Sequence, residues 1–142
     1  MTAIAFPPPR AGVLARRDAI IAGLARLLPA ECLVTTQNEC RAFETDAFTA
    51  YRRMPLAVVL PRSTEDVSAV LAYCNAEGVP VVPRGAGTSL CGGAIPQEDA
   101  VVIGVSKLNR ILEIDTADRF VRVEAGVTNL AISAAVEADG FF

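Results

Sequence analysis

Apolar and polar positions along the chain change period several times, and each change marks an expected element. Ile20, Ile21, Leu24, Leu27 and Leu28 fall on one face of a helix spanning roughly Gly12 to Leu28, and Pro29 stops it. Ahead of that helix, Met1–Arg10 contains FPPP, which cannot be helical and reads as a loose leader. From Cys32 to Pro55 the pattern is mixed, with turns and room for one short helix. LAVVLP, starting at Leu56, is an apolar run that predicts a buried strand. Ser63 then caps a helix from about Thr64 to Ala76, with Glu65 and Asp66 at its positive end, Val67, Val70, Leu71 and Cys74 as its apolar stripe, and Gly78 as its stop. VPVVP and AVVIGV predict two further strands. RILEI and FVRVEA predict a hairpin turning at Asp115–Asp118, and Thr128 caps a last helix that ends near Gly140. No internal repeat is visible.

The alternation of strands and helices predicts a mixed α/β (α+β) fold, a small sheet flanked by helices. The chain has 142 residues, enough for one compact domain or for part of a larger one. Two phenylalanines, Phe141 and Phe142, follow the last helix and would ordinarily begin a packed segment, so the chain reads as the opening part of a longer protein. Apolar residues make up 52% and charged residues 20%, which permits a packed core. A net charge of -3 argues against a nucleic-acid-binding surface, which needs clustered Lys and Arg. There is no histidine, so neither histidine acid–base chemistry nor a histidine metal site can arise within these residues. Cys32, Cys40, Cys74 and Cys91 form no CxxC pair, which sets aside zinc and thioredoxin-type readings, and their dispersed spacing suits reduced thiols in a cytoplasmic protein. No run approaches the ~18 apolar residues of a membrane helix.

The stretch that carries chemistry is PRGAGTSLCGG, Pro83 to Gly93, placed directly after a predicted strand. Glycines there allow the positive-φ conformations that turn successive N–H groups toward one point, Thr88 and Ser89 add hydroxyls, and Arg84 adds charge. It is not a P-loop: Gly87 and Gly92 have the spacing, but Gly93 and Ala94 stand where Lys and Ser/Thr are required. It is not a dinucleotide fingerprint of the Rossmann type: Leu90 replaces the third glycine, and a strand rather than a helix follows. Two readings stay open on the residues alone, a phosphate cradle and a plain turn; Arg84 either pairs with a surface carboxylate and never meets ligand, or works on the ligand or the order of the loop.

The ordered series PLAVVLPRSTEDVSAVLAYCNAEGVPVVPRGAGTSLCGGA and VVIGVSKLNRILEIDTADRFVRVEAGVTNLAISAAVEADG resembles the FAD-binding (PCMH-type) domain of the vanillyl-alcohol oxidase / p-cresol methylhydroxylase superfamily, nearest to FAD-binding subunits of glycolate oxidase and D-lactate dehydrogenases. The resemblance runs from Met54 to Phe142 and divides the chain into a leader with a helix, 1–53, and the first part of the FAD domain, 54–142. It implies that the loop wraps the pyrophosphate of non-covalently bound FAD, with Pro83, Arg84, Gly85, Ala86, Gly87, Thr88, Ser89, Leu90, Gly92 and Gly93 as cofactor-binding positions and Gly126 as a second glycine near the nucleotide. Cys91 stands where the family often has serine and reads as a small residue in a tight loop. The implied activity is hydride transfer from a small 2-hydroxy acid, glycolate or D-lactate, to the flavin. An iron–sulfur subunit would accept the electrons and could tie the protein to a membrane. The catalytic residues are not assigned. The competing expectation is a stand-alone, non-catalytic nucleotide-binding or assembly module.

Overall fold

In the computed structural model, which describes residues 6–142, four strands form one sheet and a separate hairpin stands beside it. The sheet strands are β1 (Leu33–Val34), β2 (Ala57–Val59), β3 (Val81–Arg84) and β4 (Val101–Gly104), arranged β1-β2-β4-β3. β1 is antiparallel to β2, whereas β4 runs parallel to both β2 and β3. Ala57 pairs with Val101 on one side of β4, and Val81 pairs with Val101 on the other. Both faces are covered, which explains why β2 and β4 are apolar throughout rather than alternating.

One face packs against helices α1 (Ala11–Leu14), α2 (Arg17–Leu24) and α4 (Thr64–Glu77): Val13, Ile20, Leu24 and Leu28 meet Ala57, Val59, Val70, Cys74, Val101 and Ile103. The opposite face holds Val58 and Val102 against Cys40, at the end of the short helix α3 (Gln37–Cys40), with Phe43, Met54 and Val82 around them. Each fully buried Leu, Ile or Val is worth roughly 1.5–3 kcal/mol, so Ile20 and Leu24, at 1% and 0% exposure, are core residues in the full sense.

The helix expected over Gly12–Leu28 is interrupted. Its break falls at Ala15–Arg16, where the Arg16 guanidinium donates to the Glu77 carboxylate at 2.5 Å and to the Glu77 carbonyl at 2.8 Å, at the end of α4. Beyond α2 the chain tightens into turns, with Leu27 N donating to Leu24 O at 3.0 Å, and then meets Pro29. Of the expected leader Met1–Arg10, residues 1–5 lie outside the described residues. Phe6–Arg10 has no regular structure, and Arg10 N donates to the buried carboxylate of Asp99 at 3.0 Å.

α4 matches its predicted caps. Ser63 accepts from Asp66 N at 3.1 Å, Asp66 accepts from Arg62 N at 2.9 Å, and Gly78 closes the helix at φ 66°. The hairpin pairs β5 (Ile111–Asp115) with β6 (Phe120–Val123); Asp118 N donates to Asp115 Oδ1 at 2.8 Å in its turn. Thr128 caps α5 (Asn129–Val136) by accepting from Ala131 N at 3.2 Å, and a short 3₁₀ turn then runs to Gly140. Among the described residues no helix is long and apolar enough to cross a membrane.

Candidate functional site

The glycine loop leaves the sheet at Arg84, the last residue of β3, and returns to buried positions at Ala94, Ile95 and Pro96. Gly87 and Gly92 adopt φ of 73° and 77°, the left-handed region that glycine enters without cost. Among the described residues, none accepts a hydrogen bond from the amides of Gly85, Ala86, Gly87 or Thr88. A β-carbon added at Gly85 or Gly93 would meet nothing within 4 Å. Gly85 and Ala86 face a cavity of about 600 Å³, whose far wall is the turn from Ala125 to Thr128 and the start of α5.

Arg84 does its work inside the loop. Its Nη1 donates to Thr45 O at 2.7 Å and to Ala94 O at 3.4 Å, and its guanidinium lies 5.6 Å from the Phe43 ring centre. A β-carbon at Gly87 would overlap that guanidinium, so the loop is wound round it. Burial pushes the Arg84 pKa down and the neighbouring Asp46 carboxylate pushes it back up. Arg84 forms no ion pair with a carboxylate among the described residues; its hydrogen bonds go to backbone carbonyls of the loop and of the Thr45 segment.

Asp46 escapes sequence reasoning altogether. It is 3% exposed, and its two oxygens serve two amides: Oδ1 accepts from Phe48 N at 3.0 Å and Oδ2 from Gly92 N at 2.9 Å. Its only local signal is the Asx turn to Phe48, which many surface loops share. Ser89 O accepts from Ala47 N at 3.1 Å, adding a third tie between the same segment and the loop.

The remaining expected positions fall into place as follows. Pro83 pairs with Ile103 in the sheet and is exposed. Thr88, Ser89, Leu90 and Gly93 are exposed along the loop, Leu90 at 68%, and Ser89 Oγ accepts from Cys91 N at 3.3 Å. Gly92 gives its amide to Asp46 and so shapes the loop. Gly126 lines the cavity from the opposite wall, but its lack of a side chain has a local cause. A β-carbon there would lie 2.9 Å from Leu108 O and closer still to Val105 O, and its amide donates to Leu108 O at 2.7 Å.

That far wall is clamped by Arg110 and Glu124. Arg110 donates its amide to Glu124 Oε2 at 2.8 Å and its guanidinium to Oε1 at 2.6 and 2.9 Å, hydrogen bonds that hold the Glu124 carboxyl below the usual carboxylate range. Three of the cysteines are buried, and burial pushes Cys74 up to about 11 and Cys40 upward as well, so both stay protonated; Cys91 alone is exposed. Among the described residues no group of three or more Cys, Asp or Glu side chains could hold a metal ion. A second cleft, about 200 Å³ between the hairpin and α5, is apolar, with Ile114, Phe120, Ile132 and Val136 in its walls.

Open amides, room above Gly85 and Gly93, and a cavity alongside fit an anionic group such as a pyrophosphate, approached by backbone rather than by charged side chains. Residues 55–142 match the family described as the FAD binding domain. The chain is similar to glycolate oxidase subunit GlcD of Escherichia coli K12, with 44% identity over 120 residues, covering 84% of this chain and 24% of that protein. It is also similar to D-2-hydroxyglutarate dehydrogenase of Xanthomonas citri pv. viticola, with 34% identity over 123 residues, covering 87% of this chain and 26% of that one. The chain thus spans about a quarter of the length of the curated relatives it matches. Its fold is that of substrate-bound p-cresol methylhydroxylase, with a TM-score of 0.79 at 21% identity over 96% of this chain and 27% of that one.

Proposed function

Since this chain belongs to the FAD binding domain family, with FAD as its cofactor, we propose that it is the cofactor-binding part of an oxidoreductase acting on a small 2-hydroxy acid. The observation that carries the reading is the row of unpartnered amides from Gly85 to Thr88, beside a cavity large enough for a nucleotide moiety. In this reading the backbone at Gly85, Ala86, Gly87 and Thr88 donates to the pyrophosphate of FAD, held without a covalent bond. Thr88 and Ser89 add hydroxyl donors at the exposed rim. Gly93 leaves room for approach, while Arg84 and Gly92 keep the loop in shape. The Ala125–Thr128 turn, fixed by Gly126 and by the Arg110–Glu124 clamp, closes the cavity from the other side.

Bound FAD supplies the hydride acceptor. The residues of this chain position it, and uncompensated amides in a fixed frame are what a pyrophosphate needs, because no protein reorganisation is then required on binding. A glycolate or D-2-hydroxyglutarate type of substrate is favoured by the relatives at 44% and 34% identity, and D-lactate by the resemblance of the sequence alone. An electron-accepting partner subunit belongs to the same proposal, because the first of those relatives is described as a subunit.

The test is the absorption spectrum of the full-length protein, followed without oxygen as glycolate, D-lactate and D-2-hydroxyglutarate are added in turn. A yellow protein whose flavin band bleaches with one of them supports the reading. A folded, colourless protein that takes up no FAD overturns it. A yellow protein that none of these acids bleaches removes the substrate class and leaves the cofactor site.

A further inference from the structure

The glycine loop does not keep its shape unaided. With left-handed φ at Gly87 and Gly92, free amides from Gly85 to Thr88 and exposed side chains from Thr88 to Cys91, it has few contacts of its own. What restrains it comes from a distant segment, Thr45–Ala47. Arg84, on the departing limb, reaches Thr45 O at 2.7 Å; Ser89, midway, meets Ala47 N at 3.1 Å; Gly92, on the returning limb, meets Asp46 Oδ2 at 2.9 Å. Three consecutive residues thus grip the loop at three points, and Arg84 Nη1 also reaches across to Ala94 O at 3.4 Å.

The chemistry of the central grip is informative. A buried carboxylate beneath an anion-binding loop opposes the charge of any phosphate bound there, so attraction does not explain it. Its two oxygens are spent on two amides, and Arg84 stands beside it to offset its charge. The open amides are then the groups the loop presents to a ligand.

We propose that Asp46, coupled to Arg84, is a positioning residue for the cofactor: it holds the loop in its binding shape before FAD arrives. This rests on the reading of the loop as the pyrophosphate cradle. A loop that spends only part of its time in the competent shape binds more weakly by that fraction, so loosening the grip lowers affinity without removing any group that touches the ligand.

Asp46→Asn keeps the volume but replaces one accepting oxygen with an NH₂ group, so either Gly92 N or Phe48 N loses its acceptor. FAD binding to the full-length protein should weaken, with Kd rising about tenfold to a hundredfold, the worth of one charge-assisted hydrogen bond to a buried group. Arg84→Lys keeps the charge but loses the planar guanidinium, whose Nη1 bridges two carbonyls and whose plane lies over Phe43, and should weaken FAD binding in the same direction. If Arg84 acted by charge on the phosphate, lysine would preserve affinity.

Amide exchange in the ligand-free protein separates positioning from general damage: the Gly92 and Ala47 amides, which the grip protects, should exchange faster in Asp46→Asn while the β4 amides keep their protection. Unchanged FAD affinity in both variants of a protein that binds FAD overturns the inference and leaves the cradle reading intact. Loss of FAD accompanied by loss of β4 protection also overturns it, since Asp46 would then support only the fold. A wild-type protein that binds no FAD removes the cradle reading and this inference with it.

Discussion

Gly85 and Gly126 line opposite walls of one cavity, yet a methyl group should act on them in opposite ways. At Gly85 a β-carbon meets open space, so Gly85→Ala should leave stability unchanged or raise it by about 0.4–1 kcal/mol through the unfolded chain. The same methyl would intrude on the ligand and weaken FAD binding by about tenfold or more. At Gly126 the β-carbon meets the Val105 and Leu108 carbonyls, which are backbone and cannot swing aside, so Gly126→Ala should destabilise by about 3 kcal/mol. Urea titrations of ligand-free and FAD-loaded protein measure both effects; equal losses of stability at the two sites would refute the distinction. The loop itself is legible in the sequence because its glycines are contiguous. Asp46 is not, because Gly92 lies 46 residues from it, and Thr45 lies 39 residues from Arg84. Nothing local in TDAFTAYRR marks one aspartate as the brace of a loop three elements later.

At the scale of elements, what is written in adjacent residues is what the sequence shows. The caps of α4, Ser63 and Gly78, and the cap of α5, Thr128, are local hydrogen-bonding devices and stand where their residue types predict. Ser63→Ala should cost about 1 kcal/mol in thermal or chemical unfolding while FAD affinity stays unchanged, because Ser63 caps a helix away from the glycine loop. A loss of FAD affinity in that variant would mean α4 is coupled to the loop. The break between α1 and α2 has no local mark in the sequence; Arg16, at the break, bonds Glu77, 61 residues away. The hairpin turn was placed correctly by its Asp and Thr residues. Its residue at left-handed φ, Arg119 at 58°, has no glycine to announce it.

Taken whole, the molecule ties its first third into the core more closely than a leader with a helix suggests. The family match begins at residue 55, yet Val13, Ile20, Leu24, Leu28 and Cys32 belong to the same buried cluster as β2, α4 and β4. Leu24→Ala should therefore cost about 2–5 kcal/mol by leaving a cavity in that cluster, readable as a shift in the denaturation midpoint. A shift below 1 kcal/mol would mean that residues before 55 pack loosely and form a separable leader. On the other side of the molecule, Leu112, Leu130 and Phe142 are exposed at 53%, 79% and 107%, an apolar face on the hairpin and α5.

The order β1-β2-β4-β3 has a consequence for synthesis on the ribosome. β4 lies between β2 and β3, but it is the last of the four strands to be made. Until Val101–Gly104 emerges, β2 and β3 have no strand to join them, and the apolar run around Val58 leaves the tunnel with one of its edges unpaired. The nascent chain therefore cannot settle its sheet progressively, as a meander could. It waits, open to chaperones and to neighbouring chains, and then joins β2 to β3 around a single late strand.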